Sequence, residues 1–423
     1  MYFLEWIRSH AAAMPQLAKF AIGMALIVCV PPLCRRVRLP AVVGLFVAGI
    51  VVGPHGLSML GKHAPVADFF GDLGKLLLMF FAGLETDLVL FRKSRNRTIV
   101  FGILTTSLPL ILGTAVGFLF GYQAVAAVVL GSLLASHTLL SSPIITQLGL
   151  NRLEPMAVTT GATLISDTLS LLVFALCVPT FEKGFSFTSF AVQVIEIAIF
   201  VPLILFGLSR VGAYFLPRFE HDETAYFLLM LGIVALAGFG ADAINLPGIV
   251  GSFLAGLAVN EAVRDKPAKE KLEFFGNSLF IPVFFVVTGT LIDPGEMIYS
   301  IAHDYALIGA VVGALLLGKF IAAQVAGKAF GYSSIARLTV WALTLPQVAA
   351  TLAATLVAYD TYNAAHQRLL DSRVLNVVLV LMLTTSILGP VLTAFFGARL
   401  KASEFARKPE SGNEGLPPLA EAA

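Results

Sequence analysis

The sequence predicts an all-α polytopic membrane protein of about thirteen transmembrane helices, arranged as two inverted-topology repeats. Three observations carry that expectation. The 423-residue chain is 57% hydrophobic and only 13% charged, with mean hydropathy +0.87, whereas soluble chains average about 25% charge. Apolar runs of roughly 20 residues recur from end to end, each long enough to cross about 30 Å of hydrocarbon. Two consecutive segments of the first half also return in the second at a near-constant offset. Hydrocarbon holds no water to satisfy backbone groups, so such runs must be helices.

In chain order, hydropathy places spans near 16–34, 39–55, 67–88, 97–121, 123–148, 153–179, 187–210, 224–243, 246–263, 271–293, 302–328, 333–358 and 372–398. The connections are short, so residues 1–400 form one transmembrane domain with no soluble regulatory domain inside it. The segment 401–423 is polar and rich in Pro and Gly, which predicts a disordered cytoplasmic tail. Cys29, Cys34 and Cys177 lie in apolar segments and read as packing residues, not as a zinc site or disulfide framework. The start, MYFLEWIRSH, leads into a span too long for a signal peptide core. A net charge of +2 points away from a nucleic-acid partner; the partner implied is the lipid bilayer.

Orientation follows from the placement of Lys and Arg. Arg35, Arg36, Arg38, Arg92, Lys93, Arg95 and Arg97 lie in one set of loops with most of the later basic residues, including Arg264, Lys266, Lys269, Lys271, Arg399 and Lys401. That bias predicts an outside N-terminus and a cytoplasmic C-terminus, in agreement with an odd number of spans.

LPAVVGLFVAGIVV (39–52) and LPGIVGSFLAGLAV (246–259) share Leu, Pro, Val, Gly, Phe, Ala, Gly and Val in register. The segments that follow begin FFGD and FFGN, and each carries a second pair, Phe80–Phe81 and Phe284–Phe285. The first copy starts outside and the second inside, giving inverted repeats about 16–179 and 224–398, with 187–210 as the linker helix. Inverted repeats are the architecture of secondary transporters, which bind ions where corresponding helices are broken near the midplane.

Two segments fit that description. GSLLASHTLLSSPIITQLG carries Ser136, His137, Thr138, Ser141, Ser142 and Pro143; LTVWALTLPQVAATLAATL carries Thr344, Pro346, Gln347 and Thr351. A mid-span proline removes a helix hydrogen bond and frees carbonyls. Between them in sequence, VTTGATLISDTLSLLVFAL puts Asp167 at mid-span. A charge there costs at least about 2.5–3.5 kcal/mol and usually marks a cavity-facing functional group. One carboxylate can hold either a proton or a cation, the minimum that exchange requires. Lys319 is the basic residue deep in a span, and its buried ammonium needs a partner; Asp167 is the economical one. Glu85 and Asp87 stand where the third span meets a basic loop, as interface ion pairs or as the lining of a cation funnel. No nucleophile–base pair, metal cluster or phosphate loop suggests an enzyme or a bound cofactor.

LPAVVGLFVAGIVVGPHGL, LGKLLLMFFAGLETDL, FIPVFFVVTGTLID and LLLGKFIAAQVAGKAFG resemble signatures of the monovalent cation:proton antiporter superfamily. The branch is the one with Kef-type potassium/proton and bacterial sodium/proton antiporters, and the likeness runs over about residues 20–395. The resemblance implies a homodimer in the bacterial inner membrane, with a core domain moving like an elevator and two crossed, broken helices. It implies that Asp167 binds the transported cation, Na⁺ or K⁺ against H⁺, with Ser166, Thr138 and Ser136 supplying oxygens. Lys319 would balance charge, and His137, Gln347, Glu85 and Thr344 would be gating or accessory residues. Electrogenic members carry two adjacent acids where this chain has Ser166–Asp167, which implies electroneutral exchange. Pro346–Gln347 stands where many relatives have Gly-Glu. The alternatives are a transporter of another solute on this fold, or a transport-inactive sensor.

Overall fold

Helices satisfy their own backbone, and the chain is built of them. A computed structural model describes residues 14–36, 41–60, 65–84, 94–138, 140–150, 153–219, 222–263, 267–290 and 293–407. The first half holds α1 (Gln16–Arg36), α2 (Ala41–Val52), α3 (Pro65–Leu84), α4 (Arg95–Leu119), α5 (Ala124–Ala135), α6 (Ser142–Gln147) and α7 (Glu154–Lys183). A long helix α8 (Phe187–Phe215), with a π-helical stretch at Leu203–Leu208 just after Pro202, leads to the second half. There follow α9 (Glu223–Ala243), α10 (Gly248–Val263), α11 (Pro267–Phe275), α12 (Ile281–Thr290) and α13 (Pro294–His303). The chain continues with α14 (Tyr305–Ala329), α15 (Ser334–Leu343), α16 (Ala349–Asp360) and α17 (Ser372–Arg407).

Eight of the described helices are long and apolar enough to cross a membrane. The other expected spans are short or broken helices, or adjoin residues outside the description, so a count of thirteen is not fixed by length and hydropathy. The last helix runs through Arg407, past Lys401, where the sequence suggested that a disordered tail begins. The rest of that tail lies outside the described residues.

The repeated segments pack against each other crosswise. A Cβ on Gly49 of α2 would lie 2.1 Å from the Val286 carbonyl oxygen of α12, and one on Gly256 of α10 would lie 2.1 Å from that of Phe80 in α3. The first segment of each repeat thus meets the second segment of the other, at glycines that let backbones touch. Phe80, Phe81, Phe284 and Phe285 are all buried in this seam.

The helices α4, α5, α7 and α14 pack together beside it, and α15 packs on α17. The helices α4 and α14 are both 25 residues long, and each is followed by Phe-Gly-Tyr. Gly121 and Gly331 take φ +83 and +76, and the tyrosine N–H after each closes the cap on Gly117 and Gly327 at 3.0 and 2.8 Å. Positive φ suits glycine, which has no Cβ to clash. This second pair of matching segments was missed in the sequence. Gly318 lies so close to Pro109 that a Cβ would sit 2.9 Å from its Cα, which sets the following Lys319 against α4.

Candidate functional site

The α5 helix stops at Ala135, and the chain runs non-helically through Ser136, His137 and Thr138 before α6 starts with Pro143 in its first turn. Proline lacks a donor and crowds the preceding turn, so a helix cannot pass through unchanged. Pro346 does the same between α15 and α16, where Leu345–Val348 are non-helical. The two breaks meet: the Thr138 N–H donates to the Pro346 carbonyl at 2.8 Å.

The end of α5 leaves carbonyls without partners, and side chains from the second half cover them. Gln347 Nε2 donates to the carbonyls of Ser136 at 2.5 Å and Leu134 at 3.3 Å. Thr351 Oγ1 donates to Gln347 Oε1, fixing the amide's orientation, and Thr385 Oγ1 accepts the Gln347 N–H at 3.1 Å. Lys319 Nζ donates to the Ala135 carbonyl at 2.8 Å and to that of Thr105 at 3.0 Å. The expected contact of Lys319 with Asp167 is therefore corrected in one respect: among the described residues no ion pair within 4.0 Å joins them, and their charges act on each other at longer range. The reason is local. A helix C-terminus carries partial negative charge, and these buried carbonyls need donors.

Asp167 stands in the middle of the unbroken α7, facing the break in α5. The His137 N–H donates to its Oδ1 at 3.4 Å, and 8% of the residue remains exposed. His137 is buried with both ring nitrogens engaged, Nδ1 at 3.1 Å from Ser166 Oγ and Nε2 at 3.1 Å from Thr163 Oγ1. Ser166, expected as an ion ligand, is wholly enclosed, and its hydroxyl donates to the Thr163 carbonyl at 3.0 Å. Ser136 Oγ lies 3.5 Å from Thr351 Oγ1. Thr138 keeps partial exposure in the break, while Thr344 is buried at the end of α15 and donates to the Trp341 carbonyl. Glu85 lies outside the described residues.

A cleft of about 10 Å³, room for one water-sized body, lies among Ser132, Ser136, Ser170 and Thr351. Sequence reading singled out Asp167, both breaks, Lys319 and Gln347, but passed over Thr163 and gave Thr351 no role. Spacing was the available signal. Thr163 is three before Ser166, on one face of α7, and Thr351 is four after Gln347, in the first turn of the helix that follows the break.

The family model described as sodium/hydrogen exchanger, transmembrane, matches residues 23–398. The Na(+)/H(+) antiporter NhaS5 of Synechocystis is 44% identical over 384 residues, covering 91% of this chain and 55% of that protein. The chain thus spans little more than half the length of that relative. The Na(+)/H(+)-K(+) antiporter GerN of Bacillus cereus is 28% identical, with 87% of this chain and 92% of that protein covered. The solved sodium proton antiporter MjNhaP1 of Methanocaldococcus jannaschii has the same fold, with a TM-score of 0.69 at 15% identity over 91% of this chain and 98% of that one. With the family match running through nearly all of its helices, this chain belongs to the sodium/hydrogen exchanger family.

Proposed function

We propose that the protein is a secondary antiporter exchanging Na⁺ for H⁺ at Asp167. The observation that carries this reading is one carboxylate on an unbroken helix, set against the junction of two broken ones and still partly open. A proton and a cation compete for that carboxylate, and the empty charged form is costly at this depth, so one ligand leaves as the other arrives. Thr138 and carbonyls of the breaks complete the cation's oxygen shell. The Ser166 hydroxyl supports the wall of the site, since His137 and the Thr163 carbonyl already engage it, while Ser136 Oγ, 3.5 Å from Thr351 Oγ1 and lining the cleft, adds an oxygen to the shell.

Lys319 is a fixed positive charge tied to the end of α5, so one Na⁺ replaces one H⁺ and exchange is electroneutral. The body of α4–α7 and α14–α17 moves as an elevator against α2, α3 and α9–α12. A second copy docks on α1 and α8, which bury only 11% of their apolar windows, against 50% for α7. The protein sits in a bacterial inner membrane, with its C-terminus cytoplasmic. K⁺ is the second candidate cation, because GerN is named for it as well.

The test is proton flux in proteoliposomes carrying a pH gradient, with Na⁺, K⁺ or Li⁺ added, for wild type and Asp167→Asn. Cation-driven flux that is lost in Asp167→Asn and indifferent to a voltage clamp is the expected result. Absence of flux with every cation in folded wild type overturns the proposal.

A further inference from the structure

Among the described residues, the Asp167 side chain accepts one hydrogen bond, from the backbone N–H of a residue in a non-helical stretch. Such a stretch has no ladder of its own; Gln347 holds the same peptide by the Ser136 carbonyl and Pro346 holds the next by the Thr138 N–H, which tie the stretch to the second half but not to α7. The side chain of the same residue spans the gap back to α7. Ser166 and Thr163 present hydroxyls on one face of α7, three residues apart, and the His137 ring lies between them with 3.1 Å to each.

Both ring nitrogens are bonded to α7 in either ring tautomer: the single hydroxyl proton of Ser166 serves the Thr163 carbonyl at 3.0 Å when the ring carries its hydrogen on Nδ1, and serves Nδ1 at 3.1 Å when it does not. Thr163 Oγ1 meets Nε2 at 3.1 Å, closer than its alternative acceptor, the Thr159 carbonyl at 3.5 Å. The charged groups near the ring are Asp167 on α7 and Lys319 on α14, and neither bonds to it; the Lys319 donors go to carbonyls. His137 and Ser166 are at most 1% exposed, so water does not compete for these bonds.

We infer that His137 is a positioning residue, whose ring is pinned to α7 by Ser166 and Thr163 so that its backbone N–H is held on Asp167. The pin joins the α5 break to the helix that bears the carboxylate. One carboxylate oxygen is thereby occupied by a backbone donor, and the other is left for the transported ion. Ser166 acts through His137 and not as a ligand. The role in transport rests on the exchange reading above, whereas the pin itself does not.

The experiment uses the full chain and compares Thr163→Val/Ser166→Ala, which removes both pins and keeps the histidine, with His137→Ala and the triple variant. Hydrogen exchange of the segment around residues 134–142 tests the pin without any transport. It is expected to quicken about tenfold in the double variant, with α4 unchanged, as for a locally released segment. Unchanged exchange overturns the proposal. In proteoliposomes, the half-saturating Na⁺ concentration is expected to rise about tenfold in the double variant, the scale of one hydrogen bond to a charged group, with maximal flux retained. The triple variant should be no worse than His137→Ala, because all three residues act through one bond. Additive losses overturn the positioning role even if exchange at Asp167 stands. Inert wild type with quickened exchange in the double variant sinks the antiporter reading and keeps the pin. Should His137→Ala fail to fold, the double variant carries both readouts.

Discussion

Lys319 shows how a buried charge settles where unsatisfied groups are. Its ammonium is fully enclosed and gives hydrogens to the carbonyls of Ala135 and Thr105, one at the end of α5 and one inside α4. A buried polar group left without a partner costs about 1–3 kcal/mol. Lys319→Met removes both donors, so it should lower the thermal unfolding midpoint in detergent by several degrees. Asp167→Asn breaks no ion pair within 4.0 Å and should shift that midpoint less, and the double variant should lose somewhat less than the sum of the two, because the charges attract each other at longer range. A strong coupling between them would restore the direct pairing that the sequence suggested.

At the scale of elements, prolines and glycines have opposite duties. Pro143 and Pro346 break two helices where the carboxylate needs a polar surrounding, while Gly49 and Gly256 let unbroken helices touch. A methyl on either glycine would fall 2.1 Å from a backbone carbonyl oxygen of the neighbouring helix. Backbone cannot step aside as a side chain does, and overpacking of this kind costs typically 1–3 kcal/mol. Gly49→Ala and Gly256→Ala should each lower the yield of monodisperse protein and its melting temperature, to a similar extent. Gly232→Ala, where nothing lies within 4 Å, is the matched control and should be neutral or slightly stabilising. Unequal effects at the two seams would weaken the case that they are copies of one contact.

At the scale of the whole molecule, the proposed orientation puts the α14–α15 connection in the cytoplasm and the α16–α17 turn outside. Ser334 and Ala364 are exposed at these two places. In a background with Cys29, Cys34 and Cys177 replaced, an impermeant thiol reagent added to right-side-out vesicles should label Ala364→Cys and spare Ser334→Cys. The reverse pattern would invert the topology. The sequence by itself determined the helical membrane class, the glycine–phenylalanine repeat, the two breaks and the depth of Asp167. These are properties of single segments: hydropathy, proline chemistry and the cost of a charge in hydrocarbon act before any neighbour is known. Only the tertiary structure decided which groups Lys319, Gln347, Ser166 and His137 bond to. Each answers to donors and acceptors on another helix, and which carbonyls at the end of α5 still lack a donor is settled when α14 and α16 arrive beside it.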